Sequence, residues 1–126
     1  MRNWILVVDD DPNVRLHIAE ALDAAGFDFD TAVDGNEALL VLDDLEPDLL
    51  LVDLTMPRMS GWQLIREVRA NPKLCDLPIV VLSDNVGIQN VTGYGVQANV
   101  CKPIDPTVML DTLDELLGQG SVFADR

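Results

Sequence analysis

The sequence predicts an α/β fold: a doubly wound, five-stranded parallel sheet in the order 2-1-3-4-5, flavodoxin-like, with five helices covering both faces. Three observations predict it. The uninterrupted apolar runs Trp4–Val8, Leu49–Val52 and Ile79–Leu82 read as strands buried on both faces. Stretches with apolar residues at helical spacing separate them, so strands and helices alternate along the chain. Each run also stops at a polar residue, Asp9, Asp53 or Ser83, which places polar side chains at strand carboxyl ends.

Trp4-Ile5-Leu6-Val7-Val8 gives way to Asp9-Asp10-Asp11-Pro12. Asp11 or Asn13 caps the first helix, whose inward face is Val14, Ile18, Ala21, Leu22 and Ala25, and Gly26 stops it. Residues 27–33 alternate, with Phe27, Phe29, Thr31 and Val33 on one side and Asp28 and Asp30 on the other, as in an edge strand. After Asp34-Gly35, Ala38, Val41, Leu42 and Leu45 mark the second helix, and Glu46-Pro47-Asp48 separates it from the strand ending at Asp53. A loop from Met56 to Gly61 follows, and Leu64, Ile65 and Val68 define a third helix closing near Asn71-Pro72.

Pro78 precedes the fourth strand, which ends at Ser83-Asp84. Residues 85–94, with Gly87 and Gly93 among a few apolar anchors (Val86, Ile88, Val91), predict a short, poorly propped helix. Ala98-Asn99-Val100-Cys101 reads as the opposite edge strand, ending at Lys102-Pro103. Asp105 or Thr107 caps the last helix, which carries Met109, Leu113, Leu116 and Leu117 on one face and ends at Gly118-Gln119-Gly120. One domain over residues 1–120 is expected, with 121–126 a frayed tail. Strands one, three and four are built as interior strands and two and five as edges, which yields the order above.

Composition narrows the function classes. The chain has 126 residues, 48% hydrophobic and 24% charged, without low-complexity tracts, as in globular domains. Its 22 acidic and 8 basic residues give a net charge of -14, which disfavours nucleic acid and anionic membrane surfaces and suits cations or basic partners. No apolar run approaches the roughly 18 residues of a membrane helix, and a cytoplasmic protein is expected. Cys75 and Cys101 lack CxxC or Cys/His spacing, so they read as reduced packing residues.

In doubly wound sheets ligands bind outside the strand carboxyl ends, at the switch between the first and third strands. Asp9, Asp10, Asp53, Ser83 and Lys102 fall on that rim. Three converging carboxylates repel one another unless a cation neutralises them, and oxygen-only ligands suit Mg²⁺ or Mn²⁺. Lys102 offers a point charge for a phosphoryl oxygen and Ser83 a hydroxyl. Together these are parts for holding a phosphoryl group on Asp53, whose carboxylate would attack in line. Singly, the same residues read as helix caps, a turn acceptor, a strand terminus and a surface lysine; their common register at strand ends outweighs those readings.

On Val7-Val8-Asp9-Asp10, Val52-Asp53 with Met56-Pro57 and Gly61, Leu82-Ser83 and Lys102-Pro103, the chain resembles the response-regulator receiver domain of two-component signalling, over essentially its whole length. The resemblance implies that Asp53 is the phosphoacceptor and that Asp9 and Asp10 bind Mg²⁺, Asp10 more directly. The backbone carbonyl of Thr55 completes the ligand set. Ser83 is then the switch hydroxyl, and Lys102 pairs with the phosphoryl group. The implied donor is a phosphohistidine on a sensor histidine kinase or histidine phosphotransfer protein, and the output is altered binding to a downstream protein. Turnover is limited to the domain's own aspartate.

Two positions depart from the family pattern. Asn99 stands three residues before Lys102, where the family usually has an aromatic residue that tracks the switch hydroxyl. Asp84 follows Ser83, where a small residue is usual, and is expected to slow phosphorylation by repulsion; Asp84→Ala should then react faster with a small phosphodonor. These departures favour an alternative, a receiver-like interaction domain not regulated by phosphorylation. An aspartyl-phosphate phosphatase of the haloacid-dehalogenase type fits poorly, because Asp53-Leu54-Thr55 lacks the second acid of a DxD motif and stands on the third strand. No GxxxxGK[ST] phosphate loop occurs. His17 reads as a half-buried helix residue, while Met56, Met59 and Trp62 suit either a contact surface or packing.

Overall fold

The runs that lack polar residues have no side to show to water, and they form the interior of the sheet. A computed structural model describes residues 3–56, 59–83 and 95–118. In it β1 spans Trp4–Val8, β3 Leu49–Asp53 and β4 Ile79–Ser83, and every residue of β3 and β4 is buried. With β2 (Asp28–Ala32) and β5 (Ala98–Cys101) they make a parallel sheet in the order β2-β1-β3-β4-β5. This is the expected topology.

Four helices are described, each started by a side chain that accepts an otherwise unpaired helix amide. Asp11 caps α1 (Pro12–Ala24), Asp34 caps α2 (Gly35–Asp44) and Asp105 caps α4 (Pro106–Leu117). Ser60 and Gln63 form a reciprocal capping box on α3 (Gly61–Ala70). The fifth expected helix, over 85–94, lies outside the described residues, as do Asp84 and the tail 121–126.

Because side chains alternate along a strand, each interior strand feeds two cores. Ile5, Val7, Leu49, Leu51, Val80 and Leu82 pack with α1 and α4 through Ile18, Leu22, Met109 and Leu113. Leu6, Val8, Leu50, Val52, Ile79 and Val81 pack with α2 and α3 through Ala38, Leu42, Leu64, Ile65 and Val68. Met56 joins this second core and Met59 and Trp62 pack against it, which decides for packing over a contact surface. Arg69 of α3 donates to the carbonyls of Gly95 and Cys75, tying the helix to the approach to β5.

In β2 the expected alternation holds for Phe27 and Phe29, which pack in the α1–α4 core, and for Asp28 and Asp30, which are exposed. It does not hold for Thr31, which is exposed at this sheet edge, while Ala32, on the face of Asp28 and Asp30, is fully buried in the α2–α3 core. Leu45 does not face inward: it caps α2 in an extended conformation (φ -130°, ψ 147°) and is 49% exposed. Ala25 likewise caps α1 and is exposed. Both thiols, Cys75 and Cys101, are free and exposed and do not fill the core: Cys75 sits in the turn after α3, Cys101 at the end of an edge strand.

Candidate functional site

Since all five strands run in parallel, their carboxyl ends share one edge, and backbone pairing continues just past them. Asp9 donates its amide to the Ala32 carbonyl, Leu54 to Leu82 and Lys102 to Ser83. Asp9, Asp53, Ser83 and Lys102 are thereby held at adjacent strand ends. Ser83 is buried, one residue beyond Leu82, the register partner of Asp53.

Close approach at the end of β3 depends on Gly61. Its amide donates to the Leu54 carbonyl, and a Cβ at this position would stand 2.3 Å from the Asp53 carbonyl oxygen and 2.7 Å from the Leu54 Cα. No side chain fits there.

The Lys102 ammonium lies 3.0 Å from Asp9 Oδ2 and 3.5 Å from Asp53 Oδ2. Asp9 is wholly buried; its Oδ1 accepts the Asp11 amide at 2.9 Å, while Oδ2 faces the Lys102 ammonium. Asp53 Oδ1 accepts the Thr55 amide at 3.2 Å. Asp10 is exposed beside them, and one carboxylate oxygen from each of Asp9, Asp10 and Asp53 lies within 4.8 Å of the others.

Burial pushes the Asp53 carboxyl from 3.8 to about 6, with Asp9 adding to the rise and the Thr55 amide and Lys102 opposing it. Burial alone pulls the Lys102 ammonium down, but Asp9 and Asp53 more than offset this and leave it above its usual value. One cation thus serves two buried carboxylates, with a third acid alongside. An oxygen-only set of this kind, with two of its three carboxylates buried, fits a hard divalent cation.

Thr55 is exposed just after β3. Asn99 stands on β5, half-buried, and its Nδ2 is 3.7 Å from Cys101 Sγ. Asp84 lies outside the described residues.

Two supporting residues had no motif to reveal them. Arg15, one turn into α1, donates to the Asp9 carbonyl at 2.7 Å. His17 is exposed, not half-buried, and its Nε2 is 3.0 Å from the Ile104 carbonyl, two residues beyond Lys102 and its cis bond to Pro103. Helical spacing from the Asp11 cap puts both on the turn nearest the site, which is the one sequence signal they carry.

The sequence profile of the response regulator receiver domain matches residues 5–114. A DNA-binding response regulator MtrA of Mycolicibacterium smegmatis is 38% identical over 109 residues, covering 84% of this chain and 46% of that protein. The DNA-binding dual master transcriptional regulator RpaA of Synechocystis is 32% identical over 116 residues, covering 90% of this chain and 48% of that protein. The chain therefore spans about half the length of these curated relatives. Among solved structures, the chemotaxis response regulator CheY4 of Vibrio cholerae superposes with a TM-score of 0.87 at 29% identity, covering 93% of this chain and all of that one. The chain belongs to the family of response regulator receiver domains of two-component signalling.

Proposed function

We propose that this chain is a phosphorylation-controlled receiver that accepts a phosphoryl group on Asp53 from a phosphohistidine of a sensor histidine kinase or histidine phosphotransfer protein. The observation that carries the reading is the convergence of Lys102 on Asp9 and Asp53 within a three-carboxylate cluster. A carboxylate oxygen of Asp53 attacks phosphorus, the bond from phosphorus to the imidazole nitrogen breaks, and the imidazole leaves. Lys102 is placed to stabilise the charge spread over the phosphoryl oxygens. Asp9, Asp10, Asp53 and the Thr55 carbonyl would hold Mg²⁺ or Mn²⁺, whose charge would neutralise the carboxylates and the transferred oxygens.

Ser83 then offers its hydroxyl to the phosphoryl group as the switch, and altered protein binding is the output. Turnover is confined to gain and loss of this one phosphoryl group. With a net charge of -14, the domain itself is unsuited to nucleic acid, and a downstream protein is the fitting target. Among the described residues no helix is long and apolar enough to cross a membrane, and the proposed setting is the cytoplasm.

Asn99, in contact with Cys101 where relatives use an aromatic, favours a second reading in which the fold serves as an interaction domain insensitive to phosphate. One experiment separates the two. Beryllofluoride with Mg²⁺ should change the fluorescence of Trp62, which packs against the core beside the Asp53 loop, in the wild type and not in Asp53→Asn. Backbone amide shifts should follow the same pattern. A wild type blind to beryllofluoride by both probes supports the second reading.

A further inference from the structure

Residues 16–57 contain 11 of the chain's 22 acidic residues and no lysine or arginine. This stretch includes β2, one of the sheet's two edge strands, and α2 beside it. Between them lies an open groove of about 340 Å³. Leu40, Val41 and Leu45 supply its apolar surface, and Asp30, Glu37 and Asp44 its charge. Leu40 is 69% exposed and Leu45 49%. Glu37, Leu40, Val41 and Asp44 follow the i, i+3, i+4, i+7 spacing that puts residues on one stripe of a helix, so leucine and acid alternate along a single face.

A lone surface leucine is ordinary. Two of them beside one groove, bordered by three carboxylates and by no basic side chain among the described residues, are not scattered exposure. The charge selects the occupant. Nucleic acid and anionic lipid are repelled, and a second copy of this chain would set three carboxylates against three more. We propose that the β2–α2 groove docks a basic, amphipathic segment of a partner protein, with an apolar side chain beside Leu40 and lysines or arginines against Asp30, Glu37 and Asp44. The groove shares no residue with the Asp53 cluster, so docking here leaves phosphoacceptance at Asp53 open and supplies a second point of contact.

The probe is a synthetic peptide with leucine and lysine at helical spacing, titrated into the isotope-labelled full chain while backbone amide shifts are followed. Shifts should concentrate on residues 28–32 and 36–45, and affinity should fall steeply with added salt. Leu40→Ser should weaken binding about tenfold. The double variant Asp30→Asn, Asp44→Asn should do the same and flatten the salt dependence. Because Leu40 is exposed, the serine variant keeps the fold, which its amide spectrum away from α2 reports, and it should react normally with acetyl phosphate. Shifts spread over the acidic surface at large, or binding indifferent to Leu40→Ser, would overturn the proposal. So would concentration-dependent self-association of the wild type that Leu40→Ser abolishes, since the occupant would then be a second copy.

Discussion

Burial and the Asp9 charge hold the Asp53 carboxyl at about 6, two units above an ordinary aspartate, even with Lys102 3.5 Å away. The folded state therefore grips this proton more tightly than the unfolded state does. Its contribution to stability is complete below pH 3.8 and is lost as pH rises through about 6. At neutral pH the ionised Asp53 opposes folding, by about 1–2 kcal/mol once solvent screening is allowed for. In protein stripped of divalent cations, Asp53→Asn should then raise Tm by several degrees at pH 7.5. The gain should vanish towards pH 4. Thermal unfolding in a chelator across that range checks both, and equal melting at pH 7.5 would contradict the charge assignment. His17 acts on a smaller scale. Loss of its hydrogen bond to Ile104 in His17→Ala should cost about 1 kcal/mol in denaturant unfolding and speed amide exchange in the segment after Lys102.

At the level of elements, two glycines that both begin helices are predicted to behave differently. In Gly61→Ala the new Cβ meets backbone atoms of Asp53 and Leu54, which cannot rotate away, so β3 and α3 must separate. A loss of about 3 kcal/mol is expected, together with displacement of the phosphoacceptor. In Gly35→Ala the three nearest atoms to the new Cβ all belong to the Met59 side chain, whose Sδ and Cγ can rotate away, so the loss is expected to be clearly smaller than for Gly61→Ala. Chemical unfolding of the pair tests the contrast. The same distinction between backbone and side chain explains what the sequence made legible. β1, β3 and β4 announce themselves because burial on both faces leaves no room for polar residues, and caps such as Asp11 and Asp105 act within a few residues of themselves. Thr31, Leu45 and the two cysteines differ from expectation because their exposure depends on how far a helix reaches over the sheet edge and where that helix stops. Asp9, Asp53 and Lys102 could be placed on one rim from strand order alone. That Lys102 approaches Asp9 more closely than Asp53, and that Arg15 and His17 brace the loops, are contacts between distant segments that no local pattern encodes.

For the molecule as a whole, a net charge of -14 means that the folded state works against its own repulsion. Monovalent salt screens acids scattered over the surface, since the Debye length is about 10 Å at 0.1 M, and so should raise Tm modestly without saturating. A cation bound by Asp9, Asp10 and Asp53 acts differently. It stabilises by mass action, about 2.7 kcal/mol at a hundredfold excess over its dissociation constant, and saturates in the logarithmic manner of a single site. MgCl₂ should therefore raise Tm more than NaCl at the same ionic strength. The excess should disappear in Asp9→Asn while the response to NaCl remains. The asparagine keeps the side-chain oxygen that accepts the Asp11 amide, so the turn after β1 is retained, while the charge at the buried Oδ2 position and its ion pair with Lys102 are removed. If the two salts act equally on the wild type, the acidic cluster is merely part of the surface charge. An excess in the wild type that survives in Asp9→Asn would place the cation among the chain's other acids.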